Sequence, residues 1–164
     1  MHFKNSVKMK RQRIYIDTSI VGGFFDAEFE KETKMLFRRL ENKEIVFVTS
    51  DLLFDELEEA PSHVKCLLDN YDKIFFESVV ATDEVTELAN KYIAEKVVGE
   101  TSLDDCKHIA YATINKVDIL ASWNFKHIVN ITRIKGYNAV NLKNGYQTLE
   151  IRNPKDLVYY GEEI

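Results

Sequence analysis

Cysteine and proline are scarce in this 164-residue chain, with two of each, and glycine is limited to six positions and tryptophan to one. Cys66 and Cys106 cannot build a disulfide framework and lack the spacing of metal ligands; they read as reduced, cytosolic core residues. So little proline and glycine excludes a collagen-like or low-complexity chain. No apolar run approaches the ~18 residues a membrane helix needs. No charged-then-apolar leader with a small-residue cleavage site opens the chain. The expectation is a cytoplasmic protein that does not engage membrane. What is present is globular, with 45% hydrophobic and 30% charged residues, and the length suffices to bury a core without staples. There is no repeat or linker. The organisation expected is a basic N-terminal arm over 1–11 followed by one domain over 12–164.

The net charge of −5 argues at first against a nucleic-acid partner, but its distribution is uneven. Residues 1–16 hold five Lys or Arg and no acid; residues 17–105 hold 9 basic against 22 acidic residues. Residues 106–149 then hold six basic residues against Asp118 alone. Acids concentrated in one section between two basic ones suit a site where carboxylates hold a cation and basic groups hold an anionic substrate. An unevenly charged solvated surface explains the same counts.

Hydrophobic patterning alternates strands with helices. Strands are predicted at 13–17, 45–48 and 119–122, with a weak strand or extended link at 74–76 and a late edge strand at 149–151. Helices are predicted from 18 for a turn or two, over 30–42, from Ser50 or Asp51 to Pro61, over 62–70, 83–97, 103–116 and 130–144. Such alternation implies right-handed crossovers and a parallel sheet covered on both faces. Its working site belongs beyond the carboxyl ends of the strands. Asp17 ends the first strand and Asn124 follows the 119–122 strand.

Two helices supply further acids. At about 100° per residue, Glu56 is the one carboxylate among Asp55, Glu56, Glu58 and Glu59 that falls inside the apolar arc from Leu52 to Leu57. On the helix from Leu103, Asp105 falls at the shoulder of the buried face, whereas Asp104 falls beside Tyr111 and Asn115 on the wet face. A buried carboxylate needs compensation. Asp17, Glu56 and Asp105 converging at one sheet end would be compensated by Mg²⁺ or Mn²⁺, hard cations that favour oxygen ligands. A basic side chain or a helix N-terminus beside each acid is the alternative.

Four segments carry a resemblance. Ile14-Tyr15-Ile16-Asp17-Thr18-Ser19, Glu56-Leu57, Asp105-Cys106-Lys107-His108-Ile109-Ala110-Tyr111-Ala112 and Ser122-Trp123-Asn124-Phe125 resemble, in order and spacing from about 12 to 157, the PIN domain of VapC-like toxins from toxin–antitoxin pairs. The resemblance implies a three-layer α/β/α sandwich around a mostly parallel sheet. It implies a Mg²⁺- or Mn²⁺-dependent ribonuclease leaving a 5′-phosphate and a 3′-hydroxyl, commonly a homodimer, with a small antitoxin protein as partner. Asp17, Glu56 and Asp105 match the family's core acids, as catalytic residues and metal ligands. Asn124 stands where the family often has a fourth acid, so the site would hold its metal more weakly. Thr18 and Ser19 match hydroxyls that bond the first acid or a metal-bound water, and they also suit capping of the next helix. Asp104 and His108 are further supporting candidates.

Lys107, Lys126 and His127 are candidates for holding the RNA backbone. His108 reads as a partly exposed histidine, Trp123 as core rather than a base-stacking platform, and Phe24 and Phe25 as dimer, antitoxin or core contacts. Asp26 and Asp118 read as turn or cap residues. His2 and His63 have no evident partner. A PIN-like module that binds RNA or protein with little or no nuclease activity is the alternative function. A phosphatase on a related sheet is disfavoured, because Asp17-Thr18-Ser19 breaks the Asp-x-Asp that the haloacid-dehalogenase type requires.

Overall fold

The computed structural model describes residues 10–159. In chain order it contains β1 (Gln12–Ile16), α1 (Thr18–Gly23), α2 (Glu30–Glu41), β2 (Ile45–Ser50), α3 (Asp51–Glu58), α4 (Ser62–Lys65), β3 (Phe76–Val79), α5 (Asp83–Ala94), α6 (Leu103–Ile114), β4 (Ile119–Ala121), α7 (Ile131–Lys143), β5 (Ile151–Arg152) and α8 (Pro154–Val158), with 3₁₀ turns at Leu67–Asn70, Lys73–Phe75 and Glu100–Ser102. The five strands form one sheet in the order β3-β2-β1-β4-β5, and every pairing is parallel. This is the expected three-layer α/β/α arrangement.

The alternation of β1 builds both layers. Ile14 and Ile16 join Ile45, Phe47, Ile119 and Ala121 in a core packed by α1, α2, α3 and α8. Tyr15 points to the other face and joins Val48, Leu120 and Ile151 beneath α5, α6 and α7. A strand covered on both faces reads as an unbroken apolar run, and Ile14, Tyr15 and Ile16 are all fully buried. Arg13 anchors the base of β1: its guanidinium binds both Glu77 oxygens and the carbonyls of Asn115 and Lys116.

Several boundaries differ from the sequence reading. The helix predicted over 62–70 is a single α-turn followed by 3₁₀, and 74–75 is 3₁₀ leading into β3 rather than strand. β5 starts at Ile151, and Asn153 caps a short C-terminal helix that the pattern did not announce. Cys106 is buried as expected, but Cys66 is exposed and is not a core residue. The basic arm read over 1–11 lies, apart from Lys10 and Arg11, outside the described residues, as does His2. No helix among the described residues is long and apolar enough to cross a membrane.

Candidate active site

The strand order turns back between β1 and β4, and in open parallel sheets the crevice beyond the carboxyl ends of such a pair is where ligands bind. Asp17, the N-cap residue of α1, stands at the end of β1. It is only 4% exposed, and its partners are hydroxyls: Ser19 donates to Oδ1 at 2.5 Å and Ser122 to Oδ2 at 2.6 Å. The same two serines accept the backbone N–H groups of Trp123 (2.8 Å) and Asn124 (2.9 Å). Asp17 therefore ties the end of β1 to the segment leaving β4. Ser19 does not cap α1, contrary to one of its two expected roles, and no side chain does. Thr18 Oγ1 is buried without a hydrogen-bond partner.

The close approach of these segments depends on Gly23. A Cβ there would lie 2.7 Å from the indole ring of Trp123. That indole is buried, stacks on Phe29 and donates to Thr33 Oγ1 at 2.9 Å. Trp123 is thus core, as expected. Phe24 packs on Phe37, and Phe25 is exposed with its ring against His63, a partner the sequence did not reveal.

Glu56 is half-buried, whereas Asp55, Glu58 and Glu59 of the same stretch are exposed. Asp105 is half-buried and Asp104 exposed, the latter 3.8 Å from Lys107. Lys107 is therefore engaged by an acid, while Lys126 is exposed. Two expectations for α6 need correction. His108 is buried rather than partly exposed: it bonds Tyr15 through Nδ1 at 2.6 Å and Glu56 Oε1 through Nε2. Tyr111, assigned to the wet face, is buried because its ring stacks on Tyr15 and its hydroxyl bonds Asp51 of α3. Periodicity locates a helix face but not how far a neighbouring helix covers it.

Asn124 lies between two elements. Its Oδ1 accepts the His127 backbone N–H at 3.0 Å, which turns Nδ2 toward Asp105 Oδ1 at 3.4 Å. At the position often held by an acid, this chain presents an amide donor to Asp105. His127 Nδ1 is buried and without a hydrogen-bond partner.

Burial pushes the Asp17 carboxyl up from the usual aspartate range, against the pull of His108 and of the Ser122 and Ser19 hydroxyls. Asp105 is also raised, first by burial; the imidazoles of His127 and His108 oppose this, and the charges of Asp17 and Glu56 add to it. For Glu56, burial acts upward but the His108 contact, with a smaller contribution from the Thr18 hydroxyl, outweighs it, leaving the carboxyl below its usual range. The three acids thus share one electrostatic field, and no Lys or Arg among the described residues forms an ion pair with any of them. They surround the crevice rather than meet at a point: no three His, Cys, Asp or Glu side chains among the described residues are grouped closely enough to hold an ion as they stand. Cys106 is no nucleophile, since burial and the Asp105 charge push its thiol up to about 12.

A cleft of about 620 Å³ lies at the opposite, amino end of the strands, lined by Gln12, Ile119 and Glu150 among others. Its two arginines are engaged, Arg39 by Glu44 and the Leu157 carbonyl and Arg152 by Glu150.

Comparison with solved structures shows a PIN-domain, VapC-like fold for this five-stranded parallel sheet, with Asp17 at the carboxyl end of its middle strand. Among solved structures the chain is similar to VapC20 of Mycobacterium tuberculosis, a toxin that cleaves the sarcin–ricin loop, with a TM-score of 0.50 and 16% identity over 69% of this chain and 91% of that one. It is also similar to FitAB bound to an IR36 DNA fragment, with a TM-score of 0.55 and 12% identity over 86% of this chain and 94% of that one. Identities this low establish likeness of fold alone. No family model matches the chain, and no curated protein matches it in sequence.

Proposed function

We propose that this protein is a Mg²⁺- or Mn²⁺-dependent endoribonuclease and the toxin of a toxin–antitoxin pair. The observation that carries the proposal is the placement of Asp17 at the carboxyl end of β1, held by Ser19 and Ser122, with no Lys or Arg among the described residues paired to it, to Glu56 or to Asp105. Carboxylate oxygens carrying negative charge are a donor set for a hard divalent ion. The residues fit such an ion in chemistry and charge. Asp17 and Asp105 would hold it, with the free oxygen of Glu56 completing the set. When bound, the ion supplies Lewis-acid polarisation of the phosphodiester and a more acidic water.

The chain's own residues do the rest. Ser19 and Ser122 keep Asp17 ionised and aimed by two charge-assisted hydrogen bonds. Asp105 or Glu56, as an ionised carboxylate, accepts a proton from the attacking water; Asp105, raised by burial, is the stronger base of the two. Asn124 fixes the rotamer of Asp105. Exposed Lys126, beside the site in sequence, supplies positive charge for the RNA backbone, with His127 next to it; Lys107 and Asp104 neutralise one another at the rim. In this reading the protein acts in the cytoplasm as a homodimer and is silenced by a small antitoxin protein. The resemblance to FitAB at the level of fold supports a partnered protein.

A labelled-RNA cleavage assay tests the reading. Cleavage is expected with Mn²⁺ or Mg²⁺, to be abolished by EDTA, and to fall about 10²–10³-fold in Asp17→Asn, the range for losing a main electrostatic group. Cleavage that survives both the chelator and the substitution refutes it. The amide that Asn124 turns toward Asp105 favours one alternative, a module that binds RNA or protein without cutting. Mn²⁺-independent RNA binding with no cleavage by the wild type is its signature.

A further inference from the structure

His108 is buried and both of its ring nitrogens are engaged, and the groups beyond them form a continuous chain. Nδ1 lies 2.6 Å from Tyr15 Oη, and Tyr15 Oη lies 2.7 Å from Ser50 Oγ. Ser50 Oγ in turn accepts the backbone N–H of Leu53 at 3.2 Å, as the N-cap of α3. At the other end, His108 Nε2 bonds Glu56 Oε1, on the last turn of the same helix α3. The path leaves α3 at its start, crosses β1 and α6, and returns to α3 at its functional acid.

The direction of this chain is set from its far end. Ser50 Oγ is occupied as acceptor by Leu53, and Tyr15 Oη is its other partner among the described residues. The Ser50 proton is therefore donated to Tyr15. An ordinary phenol keeps its proton at neutral pH, and with Ser50 donating to Tyr15 Oη the remaining partner for the Tyr15 proton is His108 Nδ1. A nitrogen that accepts carries no hydrogen, so the imidazole proton sits on Nε2 and is donated to Glu56. Reversing the chain would leave the Ser50 proton buried without an acceptor, which native interiors avoid.

We propose that Ser50, Tyr15 and His108 are positioning residues whose directed hydrogen bonds fix Glu56 by one carboxylate oxygen and leave the other for the crevice. The assignment rests on the nuclease reading only for the task it gives Glu56; the order of donors and acceptors stands apart from it. Oriented outer partners of this kind are worth about 10–100-fold in metal affinity or activity.

The test combines spectroscopy with calorimetry on the full chain. In ¹⁵N-histidine-labelled protein, His108 should show the Nε2–H tautomer, and its Nε2 signal should shift in Glu56→Gln. Mn²⁺ affinity should fall about 10–100-fold in His108→Leu and measurably in Tyr15→Phe. His108→Gln, whose amide can accept at one end and donate at the other, should restore most of it. A proton on Nδ1 in the wild type, as the Nδ1–H tautomer or as the imidazolium, overturns the proposal, as does Mn²⁺ affinity unchanged in both His108→Leu and Tyr15→Phe while Asp17→Asn loses it. If His108→Leu does not fold, Tyr15→Phe and the wild-type tautomer decide. A wild type that binds no Mn²⁺ sinks the nuclease reading instead, and the tautomer and its response to Glu56→Gln still decide the chain.

Discussion

Replacing Asp17 by asparagine should lower RNA cleavage about 10²–10³-fold and make the protein more stable. Asp17 is buried and accepts two hydroxyl hydrogen bonds, from Ser19 and Ser122. An amide keeps one acceptor, so one serine loses its partner at a cost of about 1 kcal/mol. Against that, the substitution removes a buried carboxylate whose desolvation costs several kcal/mol, only partly offset by its hydrogen bonds. The net gain expected at neutral pH is about 1–2 kcal/mol, or roughly 2–8 °C in Tm for a chain of this size. Burial raises the folded-state value of Asp17 above the ordinary 3.8, so the folded protein binds this proton more tightly than the unfolded chain. Stability from this group is complete below the ordinary aspartate range and is lost as pH rises through the raised value. Asp105 is raised too, in part by the Asp17 charge, so its own slope also lessens in Asp17→Asn. Thermal unfolding followed by circular dichroism from pH 3 to 8, with EDTA present, measures both effects. An Asp17→Asn protein less stable than wild type at neutral pH, or one with an unchanged pH slope, refutes the account of Asp17 as a buried, costly charge.

Mn²⁺ at 100 times its dissociation constant should stabilise the wild type by about 2.7 kcal/mol and leave Asp17→Asn unmoved in the same melting experiment. Gly23→Ala places a methyl 2.7 Å from the Trp123 ring and should cost about 1–3 kcal/mol by overpacking, read by urea denaturation. Thr33→Val removes the acceptor of the buried Trp123 N–H and should cost about 1–3 kcal/mol, with a change in tryptophan emission that Thr33→Ser does not share. Lys116 sits at φ 52 after the end of α6, a conformation that favours glycine, so Lys116→Gly should gain about 0.5–1 kcal/mol in the denaturant midpoint.

The sequence showed most of the architecture because strongly apolar strands such as Ile45–Val48 and long amphipathic helices such as α2 and α5 carry their own periodicity. It missed α8, which is five residues long, and misread 62–70, where too few residues exist for a period to register. Among the site residues, the wheel separated Glu56 from Asp55, Glu58 and Glu59 because one apolar arc bounds it. The wheel misjudged His108 and Tyr111 for a shared reason. Their burial comes from Tyr15 and α3 on separate elements, and a single-helix projection contains no information about the neighbouring helix. The orientation of Asn124 was out of reach, since the backbone N–H of His127 decides which end of the amide faces Asp105. Ser122 was missed as a partner of Asp17; its one signal was a hydroxyl at the carboxyl end of a strand predicted to lie beside β1.

β1 pairs with β2 on one side and β4 on the other, and Asp17 meets Ser122 across 105 positions of sequence. A ribosome must therefore release the chain past Ser122 before that carboxylate acquires its second hydroxyl partner. Until then the nascent polypeptide carries all three acids, Asp17, Glu56 and Asp105, but β1 has only β2 beside it and the crevice between β1 and β4 is unassembled.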